Sequence, residues 1–318
     1  MALAVVRELQ ALVGQAVRAP SSHNTQPWRF RMRETSVDLL ADRTRALPVN
    51  DPHDRELTIS CGAALMNLRV AAAHAGLGVR VRPFPSADDA DWLAGVEVVA
   101  GAAPRAGESA LFDSIARRVT YRKPFSSRPV ESDVVGRLVE AAVAEHGRLL
   151  PIESEIDRHL ISGLVAEGDA RQWANPDWRR ELAAWMHPRR RGDGLATPGA
   201  AVPVAQLVVR TFDLGGRIGT KDRDLAEGSP LLAVVATTGD AARDWLVAGQ
   251  ALERVLLTAC GLGLQASYLN QPIQEAALRS RLQKIVGGAS FPQVLLRLGY
   301  PAAQVPPAPR RNVAAVLE

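Results

Sequence analysis

The sequence predicts an α+β chain built as two related halves. Three observations predict it. Runs with helical apolar spacing and short strand-like runs are interspersed from end to end. The two longest helical runs resemble each other. ELTISCGAALMNLRVAAAHAGLGVRV and DWLVAGQALERVLLTACGLGLQASYL each pass a G-A-A-L or G-Q-A-L step, reach G-L-G and enter a strand-like run. Finally, the linker GAAPRAGE is followed by a second series of elements, which divides the chain into a half at 1–105 and a half at 106–318.

In the first half, Leu3, Val6, Leu9, Leu12, Val13, Ala16 and Val17 give a helix over 3–18 that Pro20 and two serines end. Strands are expected at 28–33 and 36–41, around a turn. ADRTRALPVNDP is loop. A long helix over Arg55–His74 ends at Gly76-Leu77-Gly78, and strands follow at 79–84 and 95–100. The second half begins with a helix over 109–119 and the polar connection TYRKPFSSRPV. An amphipathic helix over 131–146, a strand in LLPIES and helices over 155–172 and 178–186 come next. The stretch 187–229 reads as irregular, and either as a lid or as a floppy surface insertion, because loops of that length are usually functional or disordered. LLAVVAT at 231–237 is a buried strand, 241–260 a long helix, and FPQVLLRLGY at 291–300 a strand. The tail is extended and carries Arg310 and Arg311.

Composition narrows the function classes. The 318 residues are 47% hydrophobic and 23% charged, an ordinary globular balance with room for a large core. The net charge is +4, yet apart from RRR at 189–191 and RR at 310–311 the basic residues are scattered, and aromatics are only 5%. Nucleic acid is therefore not the expected partner, whereas a few arginines aimed at a phosphate fit the pattern. Cys61 and Cys260 are far apart and read as buried free thiols of a reducing compartment. The first residues carry no signal-peptide-like apolar region, and no run reaches transmembrane length, so a cytoplasmic protein is expected. Neither a metal-ligand pattern nor a Ser/His/Asp triad, Walker A or dinucleotide fingerprint is present.

The stretch that calls for explanation is APSSHNTQPW at 19–28. It gathers more hydrogen-bonding side chains than a surface turn needs. Either it is a polar helix stop, or its hydroxyls, amides and backbone N–H groups grip a flat polar ligand. PSSHNTQPW resembles the flavin loop of the FMN-dependent nitroreductase superfamily. Arg118-Val119-Thr120-Tyr121-Arg122 resembles that superfamily's basic segment, but it lies downstream of the serine loop instead of upstream. The first half thus has the loop without the basic segment, and the second half the reverse. With ADRTRALPVNDPHDRELTISCGAAL, WLVAGQALERVLL and FPQVLLRLGY, this arrangement is similar to the Acg family, which looks like a nitroreductase dimer fused into one chain.

The resemblance implies an FMN-dependent nitroreductase-like fold, with mainly antiparallel sheets in both halves. It implies one composite FMN site and a monomer acting as a pseudo-dimer. The cofactor-binding residues it points to are Ser21, Ser22, Asn24 and Gln26 for the flavin ring, with Gln26 alternatively bracing the loop. For the phosphate it points to Arg118, Thr120 and Arg122, with Arg310 and Arg311 as further clamps. The donor to flavin N5 falls in Gln265–Gln271, around Ser267 to Asn270. Trp28 reads as core or pocket wall and His23 as a loop side chain, with no catalytic side chain required. Two functions stay open. One is an oxidoreductase passing hydride from NADPH or NADH through FMN to a small nitro, quinone or enone-type acceptor, or one whose FMN oxidises a substrate and passes the electrons to oxygen. The other is an FMN-sequestering or storage protein, plugged by Trp173, Trp178, Trp185 or Phe212.

Overall fold

The computed structural model describes residues 2–186, 192–195, 202–211 and 215–318, with side chains outside 2–6, 202–204 and 215–217. Phe212 and the arginines at 189–191 lie outside the described residues, as does part of the expected lid.

Two four-stranded antiparallel sheets organise the chain. The first comprises β1 (Trp28–Met32), β2 (Ser36–Ala41), β3 (Val79–Pro83) and β4 (Trp92–Val98), in the order β1-β2-β4-β3. The second comprises β5 (Arg148–Pro151), β6 (Leu231–Thr237), β7 (Gln265–Tyr268) and β8 (Phe291–Gly299), in the order β5-β6-β8-β7. The likeness extends to an irregularity: β2 against β4 slips register at Leu39/Leu40, and β6 against β8 slips at Val235/Ala236. Bulges of this kind bend a strand locally, so their recurrence points to one backbone plan used twice.

Between the sheets cross the two long helices, α2 (Arg55–His74) and α9 (Ala242–Gly261). They meet at Gly62 and Gly249. A Cβ on Gly249 would stand 2.7 Å from Gly62 Cα, and a Cβ on Gly62 would stand 2.9 Å from Gly249 Cα. The absent side chains therefore set the approach of the helices. Gly62 corresponds to Gly249, so the helix stops correspond at Gly76 and Gly263, with φ of 77° and 84°. Leu77 N–H bonds Ala72 O, and Leu264 N–H bonds Ala259 O, the same left-handed cap in both halves. The G-L-G strings are thus offset by two residues between halves: Gly76 opens one and Gly263 closes the other.

The remaining helices cover these layers. In the first half, α1 (Ala2–Ala16) buries Leu9, Leu12, Val13 and Ala16 in a core with Trp28, Phe30 and Leu65. In the second, α3 (Phe112–Arg117) and α4 (Ser132–Val143) lead to β5, and α4 places Leu138 and Ala142 against α9 and β6. The C-terminus returns to the first sheet, where Glu318 N–H bonds Phe30 O and Phe30 N–H bonds Val316 O. The end of the second half thereby completes the first.

One difference between the halves matters for the site. β1 and β2 are joined by residues 33–35, whereas the corresponding β5 and β6 are separated by residues 152–230. This insertion carries α5 (Glu155–Ala174), α6 (Pro176–Ala184), α7 (Val202–Thr211) and α8 (Gly215–Glu227). The stretch 187–229, expected to be irregular, therefore holds two helices. Its proline- and glycine-rich start masks the apolar periodicity of VPVAQLVVRT. α10 (Gln271–Gln274) and α11 (Ala276–Ile285) were not anticipated either, and β4 begins at Trp92 instead of 95.

Flanking the helix crossing is a buried ion-pair cluster. Arg69 pairs with Glu108 and, at 2.6 Å, with Glu145, while Arg254 reaches Glu145 at 2.9 Å. Under the Gly62–Gly249 correspondence, Arg254 takes the place of Asn67, and Glu253 that of Met66. The two halves have thus diverged in charge along equivalent helix positions.

Candidate functional site

A cavity of about 510 Å³ lies between the halves, a size typical of small-molecule and cofactor sites. Its walls come from the serine loop, the start of α2, the 119–122 segment, β7 with α10, the C-terminal tail and the inserted helices.

The serine loop is wound tightly. His23, Asn24 and Gln26 have φ of 48°, 55° and 51°, so three of four successive non-glycine residues are left-handed. Such conformations are costly and persist only where surrounding bonds fix them. Those bonds are present. Ser21 Oγ accepts from Gln26 N–H at 2.9 Å. Gln26 donates from Nε2 to Gly192 O and accepts from Arg311 N–H at 2.9 Å. Asn24 donates to Gly194 O at 3.3 Å and Pro309 O at 3.2 Å, and accepts from Arg310 at 3.2 Å. Ser21, Ser22, His23 and Asn24 line the cavity. Burial holds the His23 imidazole down at about 4, so it is neutral at neutral pH.

Gln26 and Arg311 do not line the cavity. Gln26 is fully buried as the brace between loop, insertion and tail. Arg311 is turned to Gln26 O at 3.1 Å and to the Asp42 carboxylate at 3.7 Å.

The centre of the site holds a residue that motif reading missed. Glu56 lies in the first turn of α2 and is 3% exposed. Ser22 Oγ donates to it, Gln274 Nε2 donates at 3.0 and 3.1 Å, and Asn270 Nδ2 donates at 3.3 Å. Arg55 is 3.4 Å away. The carboxylate thereby ties the serine loop of one half to α10 of the other and to Asn270 just before it. The sequence signal available was a lone acid at a helix start, where the helix dipole favours negative charge. Burial and the neighbouring Glu56 charge push nearby Asp51 up to about 6.

On the opposite wall stand Val119, Thr120, Arg122, Ser267, Tyr268, Asn270 and Arg310. Tyr121 N–H bonds Ala266 O at 2.8 Å and fastens this segment alongside β7. Leu269 N–H bonds Leu295 O of β8, and antiparallel alternation therefore turns the Tyr268 N–H away from β8. Arg122 makes no hydrogen bond or ion pair among the described residues. Arg310 Nε is buried without a partner, and burial beside Arg118 lowers its guanidinium to about 10. Tyr268 Oη is also unpartnered, and burial raises it.

Arg118 is not part of this wall. Its Nε stands 3.3 Å from Glu253, and its Nη2 donates to Arg18 O at 2.9 Å. Glu253 is fully buried, and burial pushes it up to about 7 against the pull of Arg118. The sequence-predicted residues brought together at the cavity are therefore Ser21, Ser22, Asn24, Thr120, Arg122, Ser267, Asn270 and Arg310.

The last wall belongs to the insertion and includes Asp169, Gln172, Trp173, Trp178, Leu182 and Ile218. Trp173 and Trp178 pack edge to face at 5.5 Å. The insertion is tied down over the start of α2: Glu181 accepts from Val49 and Asn50 N–H, each at 2.9 Å, and Trp178 Nε1 donates to Asn50 at 3.0 Å. Trp185 stands apart from the cavity with Arg45 over its ring. No cluster of metal-ligating side chains occurs among the described residues, and none of their helices is long and apolar enough to cross a membrane.

No family model matches the chain. It is 34% identical over 311 residues to Rv3131 of Mycobacterium tuberculosis H37Rv, whose name is that of an NAD(P)H nitroreductase; the alignment covers 95% of this chain and 89% of the relative. It is 29% identical over 317 residues to acg of the same strain, also bearing an NAD(P)H nitroreductase name, with 97% and 94% covered. Among solved structures, the FMN- and NADPH-dependent nitroreductase NfnB of Sphingopyxis sp. strain HMH matches 65% of this chain and 97% of its own, at 18% identity and a TM-score of 0.43.

Proposed function

We propose a function from this premise: the chain belongs to the nitroreductase superfamily and, within it, to the Acg family. The cavity is the place of an FMN. The protein is an NAD(P)H-dependent oxidoreductase for a small organic acceptor.

The residues present fit that cofactor. A phosphate needs cations and hydroxyls not already spent, and the wall offers unpaired Arg122, the Nε of Arg310 and Thr120. A flavin ring needs mixed donors and acceptors at its edge, and Ser21, Ser22 and Asn24 offer them from a loop already fixed in shape. Within the 267–270 stretch, the outward N–H of Tyr268 is the donor for N5. Bound FMN supplies the hydride chemistry, so the chain needs no side-chain nucleophile. Its own residues bind, orient and shield. Glu56 holds the serine loop and α10 in register, while the inserted helices close one side against water.

One observation carries the reading: Arg122 of the second half stands unpaired on the wall of the cavity that the serine loop of the first half also lines. The test is an absorbance spectrum of the purified protein, flavin quantified after denaturation, and anaerobic NADPH addition. About one FMN per chain that bleaches with NADPH or NADH is the expected result. A flavin that dithionite reduces but neither nucleotide does turns the reading toward storage or another donor. No flavin after reconstitution overturns it.

A further inference from the structure

Asp169 is the feature of the cavity that flavin binding does not use. It sits on the inward face of α5 with Gln172 and Trp173, one turn away. It is 3% exposed. Its Oδ1 accepts from Gln271 Nε2 at 3.2 Å, but its Oδ2 is buried with no hydrogen-bond donor. Gln271 cannot supply more, because the same Nε2 reaches Asp222 at 2.9 Å. No Arg or Lys forms an ion pair with Asp169 among the described residues.

A buried carboxylate in this state is expensive. Natural proteins settle the cost with a cation, a full set of donors or a retained proton, and among the described residues neither of the first two is present here. Burial and the neighbouring Asp222 push the Asp169 carboxyl up to about 7. The side chains around it match a positively charged guest. Trp173 and Trp178 line the same wall, and indole faces attract cations. Glu56 is a second carboxylate on the cavity surface. The positive side chains among the described lining residues are Arg122 and Arg310, which belong to the phosphate wall.

We propose that the acceptor bound beneath the inserted helices is a small aromatic compound carrying an ammonium group, with Asp169 Oδ2 as its anchor and the Trp173–Trp178 wall beside it. This rests on the reading of the rest of the cavity as the flavin site. The ammonium would donate to Oδ2 and complete the carboxylate's hydrogen bonding. A carboxylate-bearing acceptor would instead face two like charges.

The test compares three isosteres on the FMN-saturated full-length protein by calorimetry at pH 8: 4-nitrobenzylammonium, 4-nitrobenzyl alcohol and 4-nitrobenzoate. The ammonium should bind at least about tenfold more tightly than the alcohol, as expected for a charged hydrogen bond in a buried site, and the benzoate most weakly. Asp169→Asn should erase the ammonium's advantage and leave alcohol binding within about twofold. The ranking is read on the unaltered protein and so survives a variant that fails to fold. Equal binding of ammonium and alcohol, or tighter benzoate binding, overturns the proposal, as does an advantage that persists in a folded Asp169→Asn protein. Reduction of the alcohol by NADPH is followed separately. Its absence counts against the oxidoreductase reading and leaves the binding order to decide this one.

Discussion

Arg118→Ala separates two roles that an arginine near a phosphate site can play. The Arg118 guanidinium is 3.3 Å from Glu253, a fully buried carboxylate, and also holds Arg18 O. Removing one member of a buried pair costs about 3–5 kcal/mol. At about 2.1 cal/mol/K per residue, unfolding 318 residues carries roughly 0.7 kcal/mol per kelvin, so the melting temperature should fall by about 4–8 K. Glu253 can escape by keeping its proton, since burial already holds it up at about 7. The loss should therefore be larger at pH 8 than at pH 6. Differential scanning calorimetry of the FMN-free protein measures this, and a fluorescence-quenching titration gives FMN affinity in parallel. FMN affinity should change less than in Arg122→Ala. An unchanged melting temperature combined with a larger loss of FMN affinity would refute the reasoning and return Arg118 to the phosphate.

Arg122→Ala should weaken FMN binding by about 10–150-fold, the worth of a charge-assisted hydrogen bond, and an unchanged Kd would remove Arg122 from the cofactor wall. Gly249→Ala and Gly136→Ala should move stability in opposite directions. Helix propensity favours both by about 1 kcal/mol, but at Gly249 the added methyl meets the backbone of α2 and overpacking costs about 1–3 kcal/mol, whereas Gly136 on α4 has open space; urea midpoints shifting the same way for both would contradict the crossing geometry. Asp169 and Glu253 have folded values of about 7, above their unfolded ones, so the folded state binds the extra protons. Their contribution to stability falls as pH rises through about 7 and levels off near 8, while His23, lowered to about 4, contributes a rise that is complete by about 6.5. A melting temperature that climbs between pH 6.5 and 8 would oppose this.

Much of the frame was legible from the sequence, for physical reasons. The bounds of α2 and β6 follow from unbroken apolar patterning closed by a glycine cap or by turn residues, signals that act locally. That the serine loop and Arg122 are polar segments worth placing at one cavity was legible because their residues are compressed into short strings. What escaped is long-range. Nothing in the 118–122 segment tells that Glu253 claims Arg118 while Arg122 stays unpaired. Gln26 and Arg311 carry the right groups, but they spend them on each other across 285 residues of chain. Glu56 lay in an otherwise ordinary helix start, and only the fold brings Asn270 and Gln274 to it. Of the inserted helices, α5 and α6 were legible, whereas α7 and α8 were hidden by a glycine- and proline-rich approach that dominates any local window.

The insertion at 152–230 grows from one sheet alone, and the equivalent helix positions carry different charges in the two halves. In a pair of identical subunits every residue change is made twice, and two equal cavities can sense each other's occupancy. Among the described residues of this chain the equivalence is gone, so a single substitution on either side of the crossing acts once, and the two walls of the cavity can change independently of each other.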